Sequence, residues 1–220
     1  MKIVYVVLLC LLNQMGAAAQ NKPFFVTFHP LNLLERDGGI TPGIGYHFNN
    51  RLAVSSDFGL IFFSAGEYKN DRIQTSGMLG YKIKPTVRFY INERAIPAGG
   101  YLELEGMYKH VTYDAVNEVD ILDNNGNIAY TYIGGYKIKK DVYGLNFKFG
   151  HRSFLDDDKR VGLDFYIGFG SRKKVFSNSG LPSGAQINNS IFSENSFFNF
   201  YWREGKAFSL PAGFRIFYNF

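Results

Sequence analysis

The sequence predicts an all-β fold: a single closed antiparallel eight-stranded transmembrane β-barrel with short periplasmic turns and long extracellular loops. Apolar residues recur at every second position along many stretches, which is the period of a strand with two different faces. Aromatic residues make up 17% of the chain, with 22 Phe and 15 Tyr against one Trp, as is typical of strands and of the interfacial belts of barrels. Beyond Leu12 no apolar run approaches the roughly twenty residues of a membrane helix.

The N-terminus has the pattern of an export signal. A lysine-containing start precedes the apolar run Ile3–Leu12, and Ala17–Ala19 supplies the small residues that a signal peptidase reads. The prediction is a signal peptide at 1–19 followed by a barrel domain at 20–220. Cys10, the only cysteine, lies inside the apolar run, so the exported chain has no disulfide and depends on backbone pairing and packing.

Eight segments carry the alternation, and each is near the roughly nine to eleven residues that a tilted strand needs to cross a bilayer. They lie at about 24–34, 40–48, 54–62, 81–90, 102–109, 143–150, 161–170 and 208–220. The first is the least regular. The last alternates up to its final residue, with one apolar face and one small or polar face.

The connections alternate in length, as they do in outer-membrane barrels with both termini in the periplasm. Short linkers are expected at 49–51, 92–100 and 153–159, and loops on the opposite side at 36–39, 64–75, 114–140 and 173–206. Within the third loop, Asn124-Asn125-Gly126 between two strand-like runs is a hairpin signal, so strands five and six are expected to project as a ribbon. An even strand count lets the sheet close and leaves no unpaired edge in lipid.

Four short motifs carry a family resemblance: Lys84–Tyr90, Gly100–Gly106, Phe147–Arg152 and Leu210–Arg215, followed by the terminal Phe220. The chain resembles the small outer-membrane β-barrels of Gram-negative bacteria, OmpX/OmpA-like in architecture, and more narrowly a Bacteroidetes-type group of such barrels. The resemblance implies insertion by the barrel-assembly machinery, which recognises a C-terminal aromatic strand, so Phe220 is the candidate insertion signal. It implies no activity.

Charged residues share one phase of the alternating strands, and we expect them inside the barrel. An eight-stranded barrel has an interior just filled by side chains, so these groups are expected to neutralise one another as a polar network, with a proton or ion path as the alternative. His29 and His47 share this phase. The predicted network is Asp57, Lys82, Lys84, Arg88, Glu103, Glu105, Lys109, Lys148, Asp164 and Arg215.

A second set of cations is expected near the outer rim, where lipopolysaccharide phosphates offer charge-assisted contacts. Solvated loop charges are the alternative reading. The set is Lys137, Lys139, Lys140, Arg172, Lys173 and Lys174. The expected partners are therefore outer-membrane lipid, lipopolysaccharide and the barrel-assembly machinery, around a monomer.

Other chemistries find little support in the sequence. The net charge of +5 is scattered at strand spacing, which is not typical of nucleic-acid binding. The four histidines lack zinc spacing, and the turn at Asp123 lacks the glycine and glutamate that a calcium loop requires. No cofactor is expected. His151 and Ser153 invite comparison with lipid A deacylase barrels, but the topology places them at a periplasmic turn, away from the outer leaflet.

The preferred hypothesis is an integral outer-membrane barrel with a structural or surface-interaction role, mediated by its extracellular loops and without catalysis. A lipid A-modifying barrel enzyme is one alternative, and it needs a nucleophile and a base that converge at the outer rim. A soluble periplasmic barrel that binds an apolar ligand, in the manner of a lipocalin, is the other. The aromatic run Phe197–Trp202 is compatible with an extension of strand eight, a lipid-facing rim or a ligand contact.

Overall fold

One antiparallel sheet accounts for the strands of the computed structural model, which describes residues 23–35, 37–64, 69–70, 73–92, 98–123, 125–182, 185–187 and 205–220. The predicted signal peptide and the aromatic run at 197–202 lie outside the described residues. The twelve strands are β1 (Phe24–Phe28), β2 (Asp37–Ile40), β3 (Pro42–His47), β4 (Leu52–Ser64), β5 (Lys69–Asn70), β6 (Ile73–Tyr90), β7 (Gly99–Leu122), β8 (Ile128–Phe154), β9 (Val161–Ser179), β10 (Ala185–Ile187), β11 (Gly205–Ser209) and β12 (Ala212–Asn219). The prediction of an all-β antiparallel fold is confirmed.

Eight of these strands form a ring in which each strand pairs with two neighbours. The order around the ring is β1, β3, β4, β6, β7, β8, β9 and β12, and β12 pairs with β1 again. Val26 lies opposite Tyr218 where the first and last strands meet. The ring therefore joins the first and last strands by backbone pairing.

The remaining four strands extend the wall. β2 continues β3 along β4, and β11 continues β12 along β9. β5 pairs with β6, while β10 pairs with β7 through Val119, Asp120 and Ile121. β10 follows β9 in sequence but joins the edge of β7 that faces away from β8.

The two ends of the ring differ in their connections. At the turn end, tight turns join β3 to β4 and β8 to β9; Asn49 Oδ1 accepts the N–H groups of Arg51 and Leu52 at 2.8 and 2.7 Å. The start of β1 and the C-terminal residue also lie here, and the Phe220 N–H donates to the Phe24 carbonyl at 2.9 Å. At the loop end β7 and β8 extend well beyond the other strands. β8 has 27 residues, or about 90 Å of strand.

The β7–β8 pair projects from the loop end as a two-stranded ribbon, paired from Gly99 and Arg152 up to Leu122 and Ile128. Its tip is held by Asp123, whose carboxylate accepts the N–H groups of Asn125 and Asn127 at 2.8 and 2.9 Å. Gly126 has a φ of +82°, a conformation that glycine adopts without steric cost. These hydrogen bonds lower the pKa of Asp123 because they favour its ionised form.

Burial alternates along the ring strands, with charged side chains inside and apolar ones outside. Arg88, Glu103, Asp164 and Arg215 are 2% exposed or less. Large apolar side chains are exposed on the outer face, among them Phe58, Leu60, Phe62, Leu79, Phe89, Leu104, Leu145, Phe149, Phe165, Ile167 and Phe169. Around these four charged residues the charged face is inside and the apolar face outside, the reverse of a water-soluble protein with an apolar core.

Two predicted boundaries are wrong at the start of the chain. The first strand ends at Phe28 and not near residue 34, because Pro30 has no N–H to pair and opens a 3-10 helix at Pro30–Leu33. Residues 37–39, predicted to be loop, belong to β2. Gly39 lies so close to the Leu60 carbonyl that a Cβ there would be 1.8 Å from the oxygen, and only glycine permits this approach.

Candidate functional site

Glu103 is the centre of a buried charge network in the turn-end half of the ring. Its carboxylate lies 2.7 Å from Arg88 Nη2, 2.7 Å from Arg215 Nη2 and 3.4 Å from Lys148 Nζ. Lys148 also bonds Glu105, and Asn146 donates to Glu105 at 2.9 Å. β6, β7, β8 and β12 each contribute to this cluster. Arg88 of β6 and Lys148 of β8 lie directly opposite Glu103 of β7 in the register.

Asp164 is the second carboxylate of this network. Arg152 donates two hydrogen bonds to it, from Nε to Oδ1 at 2.9 Å and from Nη2 to Oδ2 at 3.0 Å. Arg88 Nη1 donates to Oδ2 at 2.9 Å. Such paired contacts are the strongest that a carboxylate makes with arginine. Arg152 was not among the predicted network residues, although it shares the phase of Lys148 and could have been found by extending that alternation.

An aromatic layer lies between this network and the turn end. Phe25, Tyr90 and Tyr101 are buried, and the Arg152 guanidinium lies 4.0 Å from the centroid of the Phe217 ring. Arg88 lies 4.0 Å from the centroid of Tyr101. Stacking of the guanidinium groups on these rings closes the interior at this end with little free space.

A second set of ion pairs lies nearer the loop end. Lys82 Nζ is 3.1 Å from Glu35, while Lys109 and Lys140 lie 2.6 and 3.1 Å from Asp37. The Tyr113 hydroxyl donates to Asp37 at 2.8 Å. The sequence interpretation missed Asp37, because it placed 36–39 in a loop. Strand β2 brings this carboxylate inside.

Asp57 of β4 is buried, and β3 separates it from Thr27 of the first strand. Its Oδ2 lies 2.8 Å from His29 Nε2, and the Thr27 hydroxyl donates to Oδ1 at 3.0 Å. Gly43 gives this cluster room, since a Cβ there would lie 2.0 Å from Asp57 Oδ1 and 2.3 Å from Thr27 Oγ1. His47 is buried at the turn end, 3.4 Å from Arg152.

A cavity of about 350 Å³ separates the two sets of ion pairs. Three carboxylates face it, from Glu35, Asp37 and Glu105, and four cations face it, from Lys84, Lys109, Lys148 and Arg172. Leu210, Pro211 and Ala212 of the wall also line it. Of the ten residues predicted for the interior network, four therefore border this space: Lys84, Glu105, Lys109 and Lys148.

The six predicted rim cations do not share one face. Lys140, Arg172 and Lys174 point into the ring, where Lys140 is 2% and Lys174 8% exposed. Lys137, Lys139 and Lys173 point outward and are exposed. The two-residue period of β8 and β9 separates them, since neighbours in a strand point to opposite faces. The six cations therefore divide into an inward and an outward set, and their contact with lipopolysaccharide stays a prediction.

The outer face carries a polar cluster that sequence reasoning did not find. His110 Nδ1 lies 2.8 Å from Asp141 Oδ1, and its Nε2 lies 3.4 Å from the Thr112 hydroxyl. The Tyr108 hydroxyl also donates to Asp141, at 2.9 Å. β7 and β8 place His110 directly opposite Asp141. The pairing depends on register, which the sequence of either strand alone does not reveal.

The remaining predicted positions lie at the turn end. His151 is exposed, with its neighbour Arg152 buried in the charge network. Phe220 is 62% exposed, and its ring lies edge-on to Tyr218 with 5.1 Å between centroids. Its proposed part in insertion stays a prediction.

Two other kinds of site are absent from the described parts of the chain. No group of three or more His, Cys, Asp or Glu side chains there could hold a metal ion. Within the same residues, no helix has the length and apolarity to cross a membrane.

Comparison with known proteins gives one structural likeness. No family model matches this chain, and no curated protein matches it in sequence. Among solved structures, the crystal structure of Acinetobacter baumannii CarO is similar with a TM-score of 0.41 and 14% identity, over 92% of this chain and 100% of that one. At this level the likeness carries no argument, and the proposals below rest on the geometry of the chain itself.

Proposed function

We propose that this protein is an integral outer-membrane β-barrel, monomeric and non-catalytic, with a structural or surface-interaction role carried by its extracellular loops. The observation that supports it most is the inverted distribution of side chains. Apolar residues cover the outer face of the ring, and paired charges fill the inside. Whether such an outer face is stable in water or only in lipid decides between a soluble protein and a membrane protein.

The outer face is too apolar for water. Leu60, Leu145 and Ile167 are 68%, 58% and 66% exposed, and they belong to a continuous band of large apolar side chains around the ring. Exposed patches on soluble monomers rarely exceed a few hundred Å², whereas a bilayer accepts such a surface without cost. The ring of backbone pairs also meets the requirement that lipid imposes on every N–H and C=O group.

The inside argues against the soluble lipocalin-like alternative. A barrel that binds an apolar ligand turns its apolar phase inward, but here Arg88, Glu103 and Asp164 occupy that phase as buried ion pairs. The interior near them is filled by side chains, as expected for eight strands. The same packing disfavours a continuous ion path.

The connections favour one orientation. The turn end would face the periplasm with both termini, and the loop end would face the cell exterior. Strands of up to 27 residues exceed what is needed to cross a hydrocarbon layer of about 30 Å, so the β7–β8 ribbon would stand clear of the membrane. This exposed ribbon is the surface that we propose for interaction with partners.

Single-cysteine variants provide a direct test, because the exported chain is predicted to have no cysteine. Asn125→Cys at the ribbon tip should react with a membrane-impermeant maleimide on intact cells. Asp157→Cys at a turn should react only after the outer membrane is permeabilised. Leu145→Cys should resist the aqueous reagent in both states and react with a lipid-soluble one. Recovery of the protein in the soluble periplasmic fraction would refute the proposal.

Lipopolysaccharide contact is proposed for the outward cations only. Lys137, Lys139 and Lys173 lie on the outer face toward the loop end, where phosphate groups would be within reach. Exchange of all three for Gln should reduce the lipopolysaccharide that copurifies with the protein. The matched control exchanges Arg51, Lys159 and Arg160 at the turn end for Gln. Equal lipopolysaccharide in both triple variants would discard the contact.

The Thr112–His110–Asp141 cluster supports a second candidate function, hydrolysis of a lipid acyl ester. The carboxylate accepts the Nδ1 proton of His110, so Nε2 is free to take the proton of the Thr112 hydroxyl. Thr112 Oγ1 would attack the ester carbonyl, the leaving alcohol would take the proton from His110, and water would then release the fatty acid. Lys139 lies opposite Thr112 in the register and is the nearest strand neighbour that could stabilise an oxyanion.

This candidate ranks second because the neighbouring backbone amides are engaged in the sheet and cannot form an oxyanion hole. Mass spectrometry of lipid A from cells that express the protein tests it. A hydrolase would remove an acyl chain in the wild type and in a His151→Asn control, and would fail with His110→Asn or Thr112→Val. Unchanged lipid A in wild-type cells would eliminate the activity on this substrate.

A further inference from the structure

The wall of the ring has a seam beside the last strand. β1 is only five residues long and pairs with β12 from Phe25 to Phe28. Toward the loop end, β11 and residues 212–215 of β12 pair with β9 on one edge and, among the described residues, with no strand on the other. The segment after β1 fills the gap by side-chain contact, with Leu31 Cδ1 3.5 Å from the Cβ position of Gly213.

The interior is closed above and below the cavity. The aromatic layer and the Glu103 network occupy the turn end. Toward the loop end lies an apolar cluster, against which Leu181 and Ala185 pack. The buried members of this cluster are Ile61, Val111, Tyr113, Ala115, Val119, Tyr136 and Ile138. The cavity therefore lies between two layers of packed side chains.

The cavity instead reaches the seam. Glu35, on the segment that fills the gap, lines it together with Leu210, Pro211 and Ala212 of the unpaired edge. Leu210 is 72% exposed on the outer face, so the same cavity touches the inside and the outer wall. Pro211 lacks an N–H group, which removes a donor where the wall would otherwise pair. Access is therefore sideways, between the segment at 30–35 and the last strand.

The cavity is lined by more cations than carboxylates: Lys84, Lys109, Lys148 and Arg172 against Glu35, Asp37 and Glu105. Each carboxylate facing it has its own cation: Glu35 has Lys82, Asp37 has Lys109 and Lys140, and Glu105 has Lys148. Lys84 and Arg172 also face it, and among the described residues neither has a carboxylate within 4.0 Å.

Lys84 is buried, at 8% exposed. Arg172 is half-buried, and its buried Nε has no hydrogen-bond partner among the described residues. An anion in the cavity would add charge-assisted hydrogen bonds to both groups.

We propose that this cavity binds a carboxylate or phosphate group, held by Lys84 and Arg172 and admitted through the seam. The outer edges of the seam are apolar, with Leu31, Leu34 and Phe208 exposed. An anionic amphiphile could therefore place its head group inside and its chain along these residues, while a free anion would use the head-group site alone. Access from the lipid side rests on the proposed function, but anion binding itself does not.

The test uses the full exported chain folded in a neutral detergent. Three probes are titrated: a spin-labelled stearate, acetate and inorganic phosphate. Lys84→Gln and Arg172→Gln should each weaken binding about tenfold or more, the range for loss of a charged hydrogen-bond partner. Lys173→Gln is the matched control, because Lys173 is adjacent to Arg172 in β9 and points outward. Heat-dependent gel mobility establishes that each variant is folded, and Arg172→Gln suffices if Lys84→Gln fails to fold.

The outcomes separate the possible sources of the anion. Stearate binding that neither small anion displaces supports a lipid-borne ligand, whereas displacement by acetate or phosphate supports a free anion. No binding of any probe, or equal affinity in Lys84→Gln, Arg172→Gln and Lys173→Gln, would overturn the proposal. Failure of the outer-membrane assignment would show separately, in the cysteine-labelling experiment.

Discussion

Replacement of Glu103 by Gln removes the charge at the centre of the interior network. Four cations, Arg88, Lys148, Arg152 and Arg215, share three carboxylates in that network, and the variant leaves two. Each arginine contact at 2.7 Å has a gross Coulomb energy of about 6 kcal/mol at an effective dielectric constant of about 20. Desolvation offsets most of it. We therefore expect the free energy of unfolding to fall by about 3–5 kcal/mol, as when one partner of a buried pair is removed.

Urea titration of protein folded into lipid vesicles measures this loss, with heat-dependent gel mobility reporting the folded fraction. Asp114→Asn is the control, because Asp114 lies in the same strand as Glu103 but forms an exposed pair with Lys137 at 3.7 Å. Its removal should cost less than about 1 kcal/mol. The double variant Glu103→Gln/Arg88→Met restores the original excess of one cation. Its loss of unfolding free energy should therefore be smaller than the sum of the two single losses by about 0.5–3 kcal/mol.

The reasoning fails if Glu103→Gln and Asp114→Asn have the same stability. That result would mean that water or rearranged side chains compensate the cations, and that burial in the ring does not govern their energy. Additive effects in the double variant would mean that Arg88 and Glu103 do not interact, against the 2.7 Å contact between them.

Three further predictions concern other parts of the chain. Leu60→Arg places a charge on the outer face, where Leu60 is 68% exposed. In vesicles it should lower the free energy of unfolding by about 2–4 kcal/mol if the position lies near the bilayer midplane. No measurable loss of stability would contradict a lipid-facing wall. Gly43→Ala should lower the free energy of unfolding by about 1–3 kcal/mol through overpacking against Asp57 and Thr27, while Gly135→Ala, with nothing within 4 Å, should be near neutral; equal effects would refute the steric argument. The hydrogen bonds to ionised Asp123 hold its pKa below the ordinary 3.8. Their contribution to stability is therefore present above that value and is lost as the pH falls through the lower folded pKa. The amide NMR shift of Asn127 should titrate with a midpoint under 3.8, and a midpoint at or above 3.8 would contradict the turn geometry.

Local periodicity predicted a large part of this architecture. Alternation in stretches such as Leu102–Glu105 separates two faces whatever the partners are, because successive side chains of a strand point in opposite directions. Asn125-Gly126 predicted the hairpin tip for a similarly local reason, since glycine admits the positive φ that the turn uses.

The wrong predictions lie where a pattern in the sequence disagrees with the strand ends and contacts of the folded chain. Pro30 stops the first strand, yet the apolar pattern continues past it, so the pattern alone predicted a longer strand. Residues 37–39 look like a flexible loop in sequence, but contact with β4 makes them strand and brings Asp37 to Lys109 and Lys140. Grouping the rim cations by their proximity in sequence ignored the alternation that separates Lys173 from Lys174.

The sequence by itself determined which residues can share a face of the sheet and hence that charge and apolar surface are segregated. Only the tertiary structure decided which faces meet, because register and strand order depend on contacts between segments far apart in the chain. The Glu103–Arg215 pair joins residues 112 positions apart, and the Asp141–His110 pair depends on the alignment of β7 with β8. The seam and its cavity are likewise tertiary, since they arise from the unequal lengths of the first and last strands.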